Sequence, residues 1–297
     1  MAAPCATRWV GFMRVFTPRF LCRCAVLLLG VLSGVCAFAV STSGAAGSLF
    51  IEEMTSPELR TRIASGATTV LIPIGGTEQN GPHMVLGKHN VRVRALSGQI
   101  AQALGNTVVA PVIAYVPEGG IHPPAAHMRF TGTLSIPDTA FESMLEGVAR
   151  SFKQHGLNDI VFLGDHGGYQ KNLAHVAAKL NREWATVSTT RVHALTDYYL
   201  VTQTAYVQTL KARGYSVSEI GTHAGLADTS LALAIDPTLV RSEMLTSGKA
   251  FSEADGTYGD PRRSNAEAGQ AGIQQIIDAS TKAIRRAMQA RGSQPSP

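Results

Sequence analysis

The stretch Val70–Asn90, V-L-I-P-I-G-G-T-E-Q-N-G-P-H-M-V-L-G-K-H-N, constrains this chain more than any other. It opens as a short apolar run, Val70 to Ile74, closed by Gly75 and Gly76, the pattern of a strand buried on both faces. Glu78, Asn80, His83 and His89 then follow among Gly81, Pro82 and Gly87. Glycine lets the backbone fold tightly where a strand ends, so polar side chains between glycines can turn inward together. A carboxylate and two imidazoles gathered at a strand end indicate a metal or acid–base site.

The rest of the chain repeats the arrangement. Asp159 to Leu163 is a second apolar strand, followed by Gly164-Asp165-His166-Gly167-Gly168, and His223-Ala224-Gly225 precedes Asp228 and an apolar helix reaching Ile235. Helices are predicted over 51–65, 91–104, 138–155, 169–186 and 266–289, and further strands over 107–116, 133–136 and 191–195. The segment 117–133 is a Gly- and Pro-rich loop carrying Glu118, His122, His127 and Arg129. Strands alternating with helices predict an α/β fold, a mostly parallel sheet covered on both faces. In such sheets the ligand crevice lies beyond the carboxyl ends of the strands, where the three polar clusters fall.

Charge is informative once it is located. The chain is formally +5, yet Arg8, Arg14, Arg19 and Arg23 lie in the first forty residues with no acid among them. Setting those four aside reduces the 26 basic side chains to 22, against 21 acidic ones, so the charge is no argument for a nucleic-acid partner. The same segment has a basic start, an apolar run of about 17 residues and then small residues, the pattern of a secretory signal peptide. Residues 1–45 are thus expected to be a signal peptide or N-terminal anchor, 48–290 the folded domain and 291–297 a flexible tail. Export to the periplasm or medium is expected, with membrane attachment only if the leader is retained. All four cysteines lie in the leader, so a metal in the mature chain is bound by His, Asp, Glu or Asn and not by thiolate.

The three clusters, in this order, resemble the creatininase (creatinine amidohydrolase) family. The first family signature, Glu-Gln-His-Gly-Pro-His-Leu-Pro-Leu-Gly-x-Asp, stands here as Glu78-Gln79-Asn80-Gly81-Pro82-His83-Met84-Val85-Leu86-Gly87-Lys88-His89. The second, Asn-Gly-His-Gly-Gly-Asn after a strand, is matched by Gly164-Asp165-His166-Gly167-Gly168-Tyr169, and the third, His-Ala-Gly-x-x-Glu-Thr-Ser, by His223-Ala224-Gly225-Leu226-Ala227-Asp228-Thr229-Ser230. Weaker echoes run from His127 to Thr133 and from Gly256 to Pro261. The resemblance implies a three-layer α/β/α sandwich, a homo-oligomer that in the family is often a hexamer, and metal-dependent hydrolysis of non-peptide C–N bonds in a small cyclic or linear amide.

It also implies a set of roles. The family's metal-binding positions become Glu78, Asn80, His89, His166 and Asp228, but Asn80 offers an amide oxygen where the family has an imidazole. His89 replaces the carboxylate that bridges two ions, and a neutral imidazole presents one lone pair to one ion. The expected centre is therefore mononuclear: Glu78, His89, His166 and Asp228 around one divalent cation, Zn²⁺ first, Mn or Fe as alternatives. Catalytic roles fall to Glu78, to His223 as proton carrier to the leaving nitrogen, and to Asp165 as a base or a partner of a ligating histidine. Asn80, His83, His122 and His127 are assigned to substrate or to loop structure. Lys88 and Arg92 are read as solvated surface. The alternative function is a catalytically inactive creatininase-like protein that binds a ligand or assembles in the cell envelope.

Overall fold

The computed structural model describes residues 47–292. The expected leader and residues 293–297 of the expected tail lie outside them. Helix α1 (Ser56–Ala64) opens on a capping box in which the Glu58 carboxylate accepts from the Thr55 backbone N–H at 2.6 Å. Then follow β1 (Thr69–Ile74), α2 (Lys88–Leu104), β2 (Thr107–Val109), α3 (Asp138–Gln154), β3 (Asp159–Gly164), α4 (Gln170–Trp184) and β4 (Arg191–Ala194). Helices α5 (Thr196–Gln203), α6 (Ala205–Ala212), α7 (Val217–Ile220), α8 (Leu226–Ile235), α9 (Ser242–Leu245) and α10 (Ala266–Gly292) complete the chain. Helix α10 thus runs past residue 291, where the tail was expected to begin.

The four strands form one parallel sheet in the order β2-β1-β3-β4. Side chains alternate across a strand, and here both faces are apolar. Leu71 of β1 with Val161 and Leu163 of β3 enter one core, shared with α2, α5, α6, α8 and α10. Val70, Ile72 and Ile74 with Ile160 and Phe162 enter the other, shared with α3 and α4 and flanked by Leu59 and Ile63 of α1. Helix, sheet and helix layers follow directly: this is the expected α/β/α sandwich.

Two strand expectations change. The strand predicted over 107–116 stops at Val109, because Pro111 has no N–H to give the ladder. Isolated pairing resumes where Ile113 N–H donates to Pro73 C=O and Ile113 C=O accepts from Gly75 N–H, both at 2.9 Å. The predicted strand 133–136 makes no regular ladder; Leu134 N–H donates to Thr77 C=O and Ile136 N–H to Val116 C=O, two different partners. No helix among the described residues is long and apolar enough to cross a membrane.

Candidate metal centre

Because β1 and β3 are parallel neighbours in register, with Ile74 beside Gly164, the loops that leave them start level on the same edge of the sheet. The loop after β1 is cinched onto α2: Gly76 N–H donates to Asn90 Oδ1 at 3.0 Å and Glu78 N–H to Leu86 C=O at 3.1 Å. Asn80 braces it further, its Nδ2 donating to the carbonyls of Glu78 and Val85 at 2.9 and 3.1 Å. Asn80 therefore serves the loop.

This construction buries Glu78 completely and surrounds its carboxylate with four imidazoles. His89 Nε2 lies 2.8 Å from Oε1, His127 Nδ1 3.3 Å from Oε2, His166 Nε2 3.6 Å from Oε2 and His223 Nδ1 3.7 Å from Oε1. They come from the first turn of α2, the long loop after β2, the loop after β3 and the turn before α8. The Gln79 side-chain amide lies between two of the rings, 3.2 Å from both His127 Nδ1 and His223 Nε2.

A divalent ion needs donors that have lost their protons. Burial pushes His166 down to about 3 and His223 down to about 4, so both are neutral at pH 7. Burial alone would raise Glu78, but the His89 hydrogen bond and the charge around it hold its carboxyl well below the usual range. Two trios have donor atoms within 4.8 Å of one another: Glu78, His89 and His166, and Glu78, His127 and His223. Glu78 Oε2 is buried with no hydrogen-bond partner among the described residues. Behind His89, Nδ1 faces Asp165 Oδ2 at 2.6 Å, the carboxylate–imidazole arrangement that aims a metal ligand. The residues fit a divalent cation.

Other sequence-based assignments are redrawn. Asp228 belongs to neither trio: Oδ1 accepts from Arg92 Nη1 at 2.9 Å, and Oδ2 accepts from Lys88 Nζ at 2.9 Å and from Ala224 N–H at 3.1 Å. Two buried cations satisfy its charge. Lys88 and Arg92, read as surface, are 1% and 5% exposed. Asp165 is not a free base either, since it also accepts from Arg92 Nε at 2.9 Å and Tyr198 O–H at 2.7 Å. Burial would raise it, yet Arg92 and His89 hold its carboxyl below the usual range. His83 is buried away from the four rings, with Nε2 2.9 Å from Thr229 Oγ1 and its ring edge-on to Phe251. His122 is exposed on the loop.

Glu118 was only one member of a polar loop in the sequence. Its carboxyl is buried beside His166, Oε2 being 3.4 Å from Nδ1, and neither oxygen has a hydrogen-bond partner among the described residues. Burial and the nearby charge of Glu78 push it up to about 9. Two cavities meet at His127 and His166. One, of 130 Å³, is lined by polar groups including His89, Asp165, His223 and Asp228, and the other, of 710 Å³, by Glu118, Ile121, Ile136 and Asp138.

A sandwich with a carboxylate and clustered imidazoles at the carboxyl edge of its parallel sheet is the architecture of a metal-dependent α/β hydrolase. Residues 52–284 match the family model described as "Creatininase: Creatinine amidohydrolase", and the chain belongs to the creatininase family. It is accordingly a hydrolase, of the metal-dependent amidohydrolase class. The chain is 27% identical over 203 residues to a creatinine amidohydrolase of Pseudomonas putida, spanning 65% of this chain and 74% of that one. It is 27% identical over 238 residues to a mycofactocin precursor peptide peptidase of Mycolicibacterium smegmatis, spanning 73% and 84%. A crystal structure of creatinine amidohydrolase superposes with a TM-score of 0.68 at 24% identity, covering 81% of this chain and 98% of that one. A structure titled "Creatininase Mn" has a TM-score of 0.67 with the same identity and coverage. These two likenesses concern the fold.

Proposed function

We propose that this chain hydrolyses a non-peptide C–N bond of a small cyclic or linear amide, using one divalent ion, Zn²⁺ before Mn or Fe, held by Glu78, His89 and His166. The observation that carries this reading is the buried Glu78 carboxylate among four imidazoles, with one oxygen that has no hydrogen-bond partner among the described residues. When bound, such an ion polarises a carbonyl and acidifies a water toward neutral pH.

The chain's own groups do the rest. Asp165 takes the Nδ1–H of His89 at 2.6 Å, so the Nε2 lone pair would serve an ion once the hydrogen that Nε2 shares with Glu78 Oε1 at 2.8 Å has left. His223 donates Nε2–H to the Gln79 carbonyl at 3.0 Å, so its Nδ1 lone pair faces the site and can carry a proton to the departing nitrogen. His127, its ring centroid 4.4 Å from that of His223, lines both cavities. The small polar cavity takes the reacting amide and the larger one the remainder of the substrate. The reading includes export by the leader and a homo-oligomeric assembly.

Replacing His166 by Ala tests the core of it. The purified wild-type chain should carry one ion by elemental analysis and hydrolyse members of a panel of lactams and N-acyl amides. His166→Ala should lose both the ion and the activity. A wild-type chain without a divalent ion, or a fully active variant, refutes the assignment.

A further inference from the structure

The two imidazoles assigned to the ion with Glu78 are built alike. Each turns Nε2 toward Glu78, at 2.8 Å for His89 and 3.6 Å for His166. Each presents Nδ1 to a second buried carboxyl, Asp165 Oδ2 at 2.6 Å and Glu118 Oε2 at 3.4 Å. Asp165 stands in the same motif as His166; Glu118 arrives from an unrelated loop, after β2. Asp165 is tied down by Arg92 and Tyr198, whereas Glu118, with 0% of its side chain exposed, has neither oxygen partnered among the described residues. A buried carboxyl kept in that condition is a standing cost to the fold.

Its location narrows what it can do. Being unexposed, the carboxyl does not meet a substrate in the 710 Å³ cavity, although its residue lines that wall. It lies on the edge of the His166 ring opposite Glu78 and so does not share the ion. The loop is held in place: Glu118 N–H donates to Ser135 Oγ at 3.0 Å, and Ser135 Oγ–H donates to Gly119 C=O at 2.8 Å. Room for the carboxyl depends on Gly76, where a Cβ would stand 2.4 Å from Glu118 Oε1.

We propose that Glu118 is a positioning residue: through the carbonyl oxygen of its uncharged carboxyl it accepts the Nδ1–H of His166 and selects the tautomer whose Nε2 lone pair faces Glu78. The choice is real, because Gly168 N–H stands 3.2 Å from the same Nδ1 and favours the opposite tautomer, with hydrogen on Nε2 and no lone pair for an ion. The proposal rests on the ion-binding reading above.

Zn²⁺ affinity of the metal-free protein, measured against a chromophoric chelator, tests it in wild type, Glu118→Leu and Glu118→Gln. The Co²⁺ absorption spectrum and the thermal midpoint without metal are recorded alongside. Glu118→Leu should bind Zn²⁺ about 10–100-fold more weakly with an altered Co²⁺ spectrum. Its metal-free midpoint should hold or rise, since an unpartnered carboxyl has gone. Glu118→Gln, whose carbonyl still accepts a hydrogen, should recover most of the affinity. Equal affinity in all three, or weaker binding that tracks a lower metal-free midpoint, overturns the proposal and leaves the site reading standing. A wild-type chain that binds neither ion overturns both.

Discussion

Arg92 is the cation on which the buried charge network turns, and its loss has a calculable effect. Its side chain is 6% exposed and bridges Asp165, 3% exposed, and Asp228, 21% exposed, through contacts of 2.8 and 2.9 Å. Arg92→Met keeps the aliphatic stem and removes the charge. Each pair is worth about 4 kcal/mol gross at an effective dielectric of 20, against which the desolvation of the guanidinium is no longer incurred. Breaking a buried pair from one side typically costs about 3–5 kcal/mol net. Because His89 and Tyr198 still serve Asp165 and Lys88 still serves Asp228, the lower end, about 3 kcal/mol, is expected. That corresponds to a fall in midpoint of roughly 6–12 °C for a domain of this size. Urea unfolding followed by far-UV circular dichroism in the presence of EDTA measures it. Arg150→Met is the control: Arg150 meets Glu183 at the surface, with 42% and 45% of their side chains exposed, and its loss should cost under about 1 kcal/mol. If the two variants lose the same small amount, the buried network does not contribute as argued.

His83 gives a pH signature. Burial pushes it down to about 4 from an unfolded value near 6.5. The unfolded chain therefore takes the proton first: stability is untouched above about pH 6.5, falls between 6.5 and 4, and loses nothing more to this group below 4. The full contribution is roughly 3 kcal/mol, and His83→Gln should flatten the slope of metal-free stability across that window; an unchanged slope would contradict the burial argument. Gly269 is where α10 meets α8, and a Cβ there would stand within 2 Å of Ser230 C=O, at 1.9 Å. Gly269→Ala should destabilise by roughly 1–3 kcal/mol in the same urea assay, and a neutral result would mean that the helices separate freely.

What could be read in the sequence follows from how local each signal is. The strands at 70–74 and 160–163 are unmistakable because both faces are buried, so every position is apolar. Glu78 and His89 are found because one short segment carries them, and His166 and His223 because each sits in its own glycine-rich motif. Lys88 and Arg92 look like ordinary solvated charges at a helix start. Their burial depends on Asp165 and Asp228, 73 and 136 residues beyond Arg92. Asp228 keeps the charge that a motif position wants, but the nearer cations claim it. Glu118 has no motif at all. The one hint was an acid between two strand-like runs in a loop already rich in histidine, and its proximity to His166 is a property of the fold alone.

The alternation of β1 between the two cores has an evolutionary consequence. Inserting or deleting one residue within Val70–Ile74 would put the strand positions on one side of the change out of step with the two cores, and would displace Glu78 by about 3.3 Å, one strand residue. Length changes in that segment are closed to selection. Diversification of what the enzyme accepts is left to the exposed tip of the loop after β2 around Ile121, which lines the larger cavity and belongs to neither core.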